Sequence, residues 1–188
     1  MRFPIPEILK DTLTRDYLRE CILCNTDVLK TGVPYAIEKA FKRFPELDVE
    51  QTVFEYCICQ NCHLQSRKEL SVKSLENIES FFLAHQQIIL EHSLKSAIAE
   101  SAEELFEVGL ISGQAKNDLN GYQLFAHCQG EEVLVDRGAF MLTDATIEQL
   151  SSLISQKTRD HLNDFMDNNF GLPPELKKKL TDNPVLAF

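Results

Sequence analysis

Two Cys-x-x-Cys pairs, Cys21-Ile22-Leu23-Cys24 and Cys59-Gln60-Asn61-Cys62, stand 34 residues apart and restrict this chain more than anything else in it. Each such turn places two thiolates at adjacent corners of a tetrahedron, with backbone amides directed at the sulfurs, and two turns complete a four-coordinate site. The spacing exceeds that of the shortest fingers, but a β-hairpin fits between the pairs and brings its ends together. The expected occupant is one structural Zn2+ held by Cys21, Cys24, Cys59 and Cys62. A disulfide framework suits a secreted chain. A thioredoxin-like redox pair suits Cys59 and Cys62 after a strand but leaves Cys21 and Cys24 unexplained. His63, beside Cys62, is an alternative ligand but reads as an exposed residue of a first helical turn. Cys57 and Cys128 read as small buried hydrophobes.

Composition narrows the class. The 188 residues are 44% hydrophobic and 26% charged, with only 7 Gly and 7 Pro, which describes a folded, helix-rich protein with room for two small modules. Met1-Arg2-Phe3-Pro4 runs into charged sequence without the apolar core of a signal peptide, and no run approaches the roughly 18 apolar residues of a membrane span. A cytoplasmic protein with no membrane partner is expected. The net charge of −10 repels a phosphate backbone. Nucleic-acid binding would rest on small clusters: Lys39, Lys42 and Arg43, then Arg67 and Lys68, then Lys177-Lys178-Lys179.

Along the chain, Ile8, Leu9, Leu13, Tyr17 and Leu18 have helical spacing over residues 5 to 20. Residues 25 to 32 are turn material. Val33, Tyr35, Ile37 and Phe41, then Phe54, Tyr56 and Ile58, alternate as the two strands of a hairpin that ends at Cys59. From the N-cap Ser71, the residues Leu75, Ile78, Phe81, Phe82, Ile88 and Ile89 form a helical stripe. His85 and His92 on that stripe read as partly buried side chains. Leu94, Ile98, Leu105 and Val108 extend the helical pattern to Gly109, a C-cap candidate. Gly171 ends a later helix, Pro173-Pro174 opens another, and Asp182-Asn183-Pro184 closes it.

Self-comparison suggests an internal repeat. A shift of 84 aligns Tyr56 with Phe140, Ser71 with Ser155, Ser74 with Thr158 and Phe81 with Phe165, and a shift of 87 aligns Tyr35 to Phe41 with Tyr122 to Cys128. Cys21 and Cys24 then map near Val108 and Ile111, and Cys59 and Cys62 map to Thr143 and Thr146, so the second copy carries no metal ligands. The expected fold is α+β, with two tandem modules, each a β-hairpin followed by helices: residues 1–92 with the zinc, and residues 93–188 as a degenerate copy plus a C-terminal helix.

The knuckle at Cys21-Ile22-Leu23-Cys24, the hairpin over 33 to 58 and the second pair at a helix start resemble the treble-clef class of zinc modules over residues 18 to 90. That resemblance implies a structural metal and leaves the role open, because the class serves in protein binding, nucleic-acid binding and occasional nuclease chemistry. No His-Asn-His pattern, Gly-rich phosphate loop, His-Glu-x-x-His or Gly-x-Ser-x-Gly occurs, and a four-cysteine site leaves no open position for water. Catalysis is therefore not expected. The leading expectation is a protein-interaction or scaffold role, with a nucleic-acid or transcription-associated role as the alternative and self-association as the plain one. Residues 93 to 150 hold 10 acids against 3 bases, which favours a basic partner there.

Overall fold

The computed structural model describes residues 1–171. The tail features read from sequence beyond Gly171 lie outside the described residues, including Pro173-Pro174, Lys177-Lys178-Lys179 and Asp182-Asn183-Pro184. In chain order the strands are β1 (Arg2–Pro4), β2 (Tyr35–Phe44), β3 (Val49–Cys59), β4 (Gly121–Gln129), β5 (Glu132–Leu134) and β6 (Ala139–Thr143). The helices are α1 (Val28–Thr31), α2 (Gln60–Glu69), α3 (Val72–Ala84), α4 (Gln86–Ser96), α5 (Asp144–Leu153) and α6 (Gln156–Phe170). The class is mixed α and β around an antiparallel sheet.

The expected hairpin is β2 and β3, in register from Tyr35 opposite Cys59 to Phe44 opposite Val49, with one irregularity between Ala40 and Phe41. Its turn is a 3-10 segment opened by Pro45 and closed by Asp48 at φ 50, a left-handed conformation that Asp tolerates better than bulkier residues. The sheet order is β1-β5-β4-β2-β3, with β6 also paired to β4, so strands from both halves of the chain form one sheet with β3 at its edge.

Both faces of this sheet are covered. Tyr56 on one face meets the rings of Phe165 and Phe170. On the other, Tyr35, Ile37, Cys57, Leu124 and Met141 share a buried cluster with Leu9, Val28 and Phe106. Burial is consequently unbroken from Tyr35 to Lys39, where a half-solvated strand would alternate. Lys39 is included because its Nζ lies 2.7 Å from Glu55 Oε2 and donates to the Lys10 carbonyl at 2.6 Å, which satisfies a charge that could not be buried alone.

Two helical expectations are corrected. Residues 5 to 20 form only a 3-10 turn over Glu7–Leu9, because Asp11 Oδ1 accepts from the backbone of Leu13 and Thr14 and so diverts donors that a helix would use. The stripe after Ser71 is two helices, α3 and α4, parted at His85. The helical pattern stops at Ser96, and Gly109 caps no helix; it bridges Met141.

Several contacts recur at the separations read from sequence. Gln60 and Asp144, which open α2 and α5, are 84 residues apart, as are the N-caps Ser71 and Ser155 of α3 and α6. Across the sheet Tyr35 opposes Cys128 while Tyr122 opposes Phe41, and Glu38 opposes Phe125. The helix caps are reciprocal too. Ser71 N donates to Thr158 Oγ1 at 3.0 Å, Ser155 N donates to Ser74 Oγ at 2.8 Å, and the two N-cap hydroxyls are 2.8 Å apart. Ser71→Ala and Ser155→Ala are each expected to cost about 1 kcal/mol through the lost cap. Because the two hydroxyls share one bond, the double variant should deviate from additivity by about 0.5 kcal/mol or more. Urea unfolding of the four proteins in this cycle measures the coupling, and strict additivity would remove it.

Candidate metal centre

The four cysteines singled out by spacing converge. One sulfur from each of Cys21, Cys24, Cys59 and Cys62 lies within 4.8 Å of all the others, and Cys24 Sγ is 3.8 Å from Cys59 Sγ. Sulfurs at the corners of a tetrahedron with metal–sulfur bonds of roughly 2.3 Å are about 3.8 Å apart, so the donor set fits a single ion.

Local chain geometry builds each half. In the first turn, Cys21 N donates to Thr26 O and Asn25 N to Cys21 O, and Asn25 takes a left-handed φ of 57. Ile22 N donates to Cys57 O at 2.9 Å, which fastens this turn to the end of β3. Cys59 is the last residue of β3 and the N-cap of α2, so one residue joins strand, helix and ligand set. Its own N–H points at Cys21 Sγ, 3.3 Å away. Cys62 follows in the first turn of α2.

Burial grades the cluster: Cys21 and Cys59 are buried, Cys62 is half-buried and Cys24 is exposed. Hydrogen bonding with Thr26, whose Oγ1 lies 3.2 Å from its sulfur, brings the Cys24 thiol down to about 6, whereas burial holds Cys59 and Cys62 above the usual thiol range. A nearby cation favours the charged form of such groups. Cys57 and Cys128 stand apart. The Cys57 thiol donates to Glu20 O at 3.2 Å and is pushed up to about 12 chiefly by burial, and Cys128, fully buried, is raised by the same cause. Both are packing residues, as expected of them.

His63 differs from its expectation. It is not exposed; it turns away from the sulfur group toward His127, with ring centroids 6.5 Å apart. Burial first, and then His127, holds its imidazole below the ordinary value. His85 Nδ1 donates within its own helix end, to Phe81 O at 2.8 Å, and His92 is half-buried beside Ser96; neither meets a second cluster among the described residues. The sequence pairing of His63 with His127 was invisible because a helix and a strand from opposite halves of the chain carry them.

The backbone of the Cys21–Cys24 turn has a parallel 88 residues on. Gly109 N donates to Gln114 O, Gly113 N to Gly109 O, Leu110 N to Met141 O and Lys116 N to Glu107 O. These match the bonds of Cys21, Asn25, Ile22 and Val28 one for one. The register puts Gly109 and Ser112, and not Val108 and Ile111, at the places of Cys21 and Cys24. Thr143 caps α5 as Cys59 caps α2, and Thr143 Oγ1 lies 3.1 Å from Thr146 Oγ1. Gly109, Ser112, Thr143 and Thr146 therefore occupy this place, where the sequence comparison put Val108, Ile111 and the same two threonines.

Among the described residues no helix is long and apolar enough to cross a membrane. Compared with family models, with curated proteins and with solved structures, the chain matches none.

Proposed function

We propose that this chain is a cytoplasmic, non-catalytic zinc-binding protein whose single structural site stiffens a protein-interaction module. Four thiolates in a tetrahedral arrangement select a borderline-soft ion, and zinc is the usual one for a closed sulfur site with no redox or substrate position. On this reading residues 1–92 form a treble-clef-like unit and residues 93–188 a copy that has lost its ligands. The recurring backbone bonds and the reciprocal helix caps support it.

The observation that carries the interaction role is an apolar ridge at the end of α3 and along α4. Leu83 is 63% exposed, Leu90 60%, Leu94 62% and Ile98 81%. Leu90 and Leu94 are one turn apart on α4, which keeps them on one side, Ile98 follows two residues past the helix end, and exposed apolar side chains grouped in this way support an interaction surface. The sequence stretch that follows, residues 93 to 150, carries the net acidity that favours a basic partner.

Nucleic-acid binding loses its best support. Lys39 is buried against Glu55, Lys42 is 3.4 Å from Asp144 and Arg43 is 2.6 Å from Glu50. The first hairpin therefore offers few uncompensated cations to a phosphate backbone.

The test is a double variant, Leu90→Asp with Leu94→Asp, compared with the parent in affinity capture from the native cell extract. We expect the variant to keep its metal and its thermal midpoint while losing the proteins held by the parent. An identical set of captured proteins would count against the ridge. A parent dimer in light scattering that the variant dissolves would assign the ridge to self-association.

A further inference from the structure

A cavity of about 310 Å3 opens between the first turn of α2 and the ends of β2 and β4. Its polar lining comes from Gln60, His63, His127 and Arg137, and no carboxylate lines it, although 29 of the 188 residues are acidic. In a chain of net charge −10, a hollow that gathers one guanidinium and two imidazoles without a single acid offers N–H donors and no competing carboxylate.

The groups are placed by structure. Arg137 ends a 3-10 turn over Val135–Arg137, and the next residue, Gly138, has φ 105, a conformation that side-chain-bearing residues rarely adopt. Gly138 then accepts from His127 N at 3.0 Å, so the turn holds Arg137 beside the His127 strand. No ion pair of Arg137 occurs among the described residues. His63 Nε2 is buried and has no hydrogen-bond partner there either. An unpaired buried ring nitrogen in a native structure calls for an explanation, and a ligand in the adjoining cavity provides one. Strand pairing puts Ala36 directly beside His127, and its methyl leaves the floor of the cavity open. By the alternation of the same ladder, Cys59 projects to the opposite face of the sheet from His127, which separates these imidazoles from the negative charge of the thiolate cluster.

We propose that this cavity binds a small organic oxyanion, a carboxylate or phosphate ester, with Arg137 and the two imidazoles on its oxygens and Leu64 and Leu134 along its apolar part. Arg is the residue suited to the planar, two-point recognition of such groups. A volume near 310 Å3 is at the small end of ligand cavities, which limits the guest to a metabolite-sized molecule.

The test uses the full chain carrying its metal, with inorganic phosphate and benzoate as probes and benzylamine as the cationic control. Imidazole 1H–15N spectra are expected to show saturable shifts of His63 and His127 with phosphate, benzoate or both, while His85, His92 and His161 stay in place. Which probe binds more tightly distinguishes a phosphate ester from a carboxylate. Arg137→Ala, on an exposed turn, should weaken binding about tenfold with metal content and thermal midpoint unchanged. Three results would overturn the proposal: no shift at His63 and His127 with either anion, equal affinity in the Arg137→Ala protein, or benzylamine binding as tightly as benzoate.

Discussion

Removal of the metal, by a strong chelator or by Cys59→Ser, is expected to undo the two cysteine turns and β3 and leave the rest of the sheet standing. Structural zinc contributes about 10–16 kcal/mol of binding free energy in small modules, and a whole domain is stable by only about 5–15 kcal/mol, so the ion is comparable to the entire margin. Cys59 is the severe position because it ends β3, caps α2 and supplies a ligand. A loss above about 4 kcal/mol is typical when a metal site is broken, which corresponds to roughly 8–16 °C in thermal midpoint at about 2–4 °C per kcal/mol. Cys57→Ser and Cys128→Ala touch thiols of similar burial outside the cluster; they should keep the metal and lose far less. The damage is expected to be local, since β3 is an edge strand and β2 retains β4 as a partner. Hydrogen exchange of the chelated protein should lose protection in the Cys21–Cys24 turn, β3 and the start of α2 before β2, β4, β6, α5 and α6 respond. Uniform loss throughout would refute this local effect, and an unchanged midpoint in Cys59→Ser would remove the metal from the account of stability.

The four-cysteine cluster was legible because its chemistry is local: thiolate pairs at fixed spacing have few other uses, and the alternating residues between them announced the hairpin that brings them together. The helices α3 and α6 were legible from their caps. Less could be read where tertiary contacts override spacing. Thr12 gives both its backbone N–H and its hydroxyl to Glu55, and Asp11 takes the next donors, so the apolar spacing of residues 8 to 18 never becomes a helix. Likewise, the ring of His85 engages Phe81 O and the backbone there departs from helical values, which divides a stripe that looks continuous. Glu38 and Lys39 in a stretch of β2 buried on both faces could not be anticipated, because a binary pattern assumes one wet face. Pairing between halves also lies beyond local pattern: β2 beside β4 is what makes one sheet of two hairpins, and it alone brings His63 and His127 to one cavity.

Four substitutions in the second half, Gly109→Cys, Ser112→Cys, Thr143→Cys and Thr146→Cys, are expected to raise the metal content of the purified chain from one zinc to two. The backbone already makes the bonds of a metal-binding turn, with Gly113 at φ 66 in the place of Asn25 at φ 57. What separates the two places is side chains. A Cβ built on Gly109 would stand 2.5 Å from Ser112 Oγ and 2.8 Å from Thr143 Cγ2. Those two neighbours occupy the positions of Cys24 and Cys59, so the collision marks the point on which the four side chains converge. Gly109→Cys alone should therefore destabilise by about 1–3 kcal/mol, as over-packing does, and bind nothing. With all four changed, Thr143→Cys sacrifices the hydroxyl that caps α5, worth about 1 kcal/mol, against the much larger free energy of a four-thiolate zinc site. The net effect should be a chain stabilised by added zinc and reliant on it. Cobalt substitution provides an independent readout, since tetrahedral thiolate coordination at both sites should double the ligand-field absorption per chain. A quadruple variant that folds with one metal would show that the second turn shares the backbone of the first without sharing its capacity. In that case Gly109 serves close packing against Ser112 and Thr143 alone.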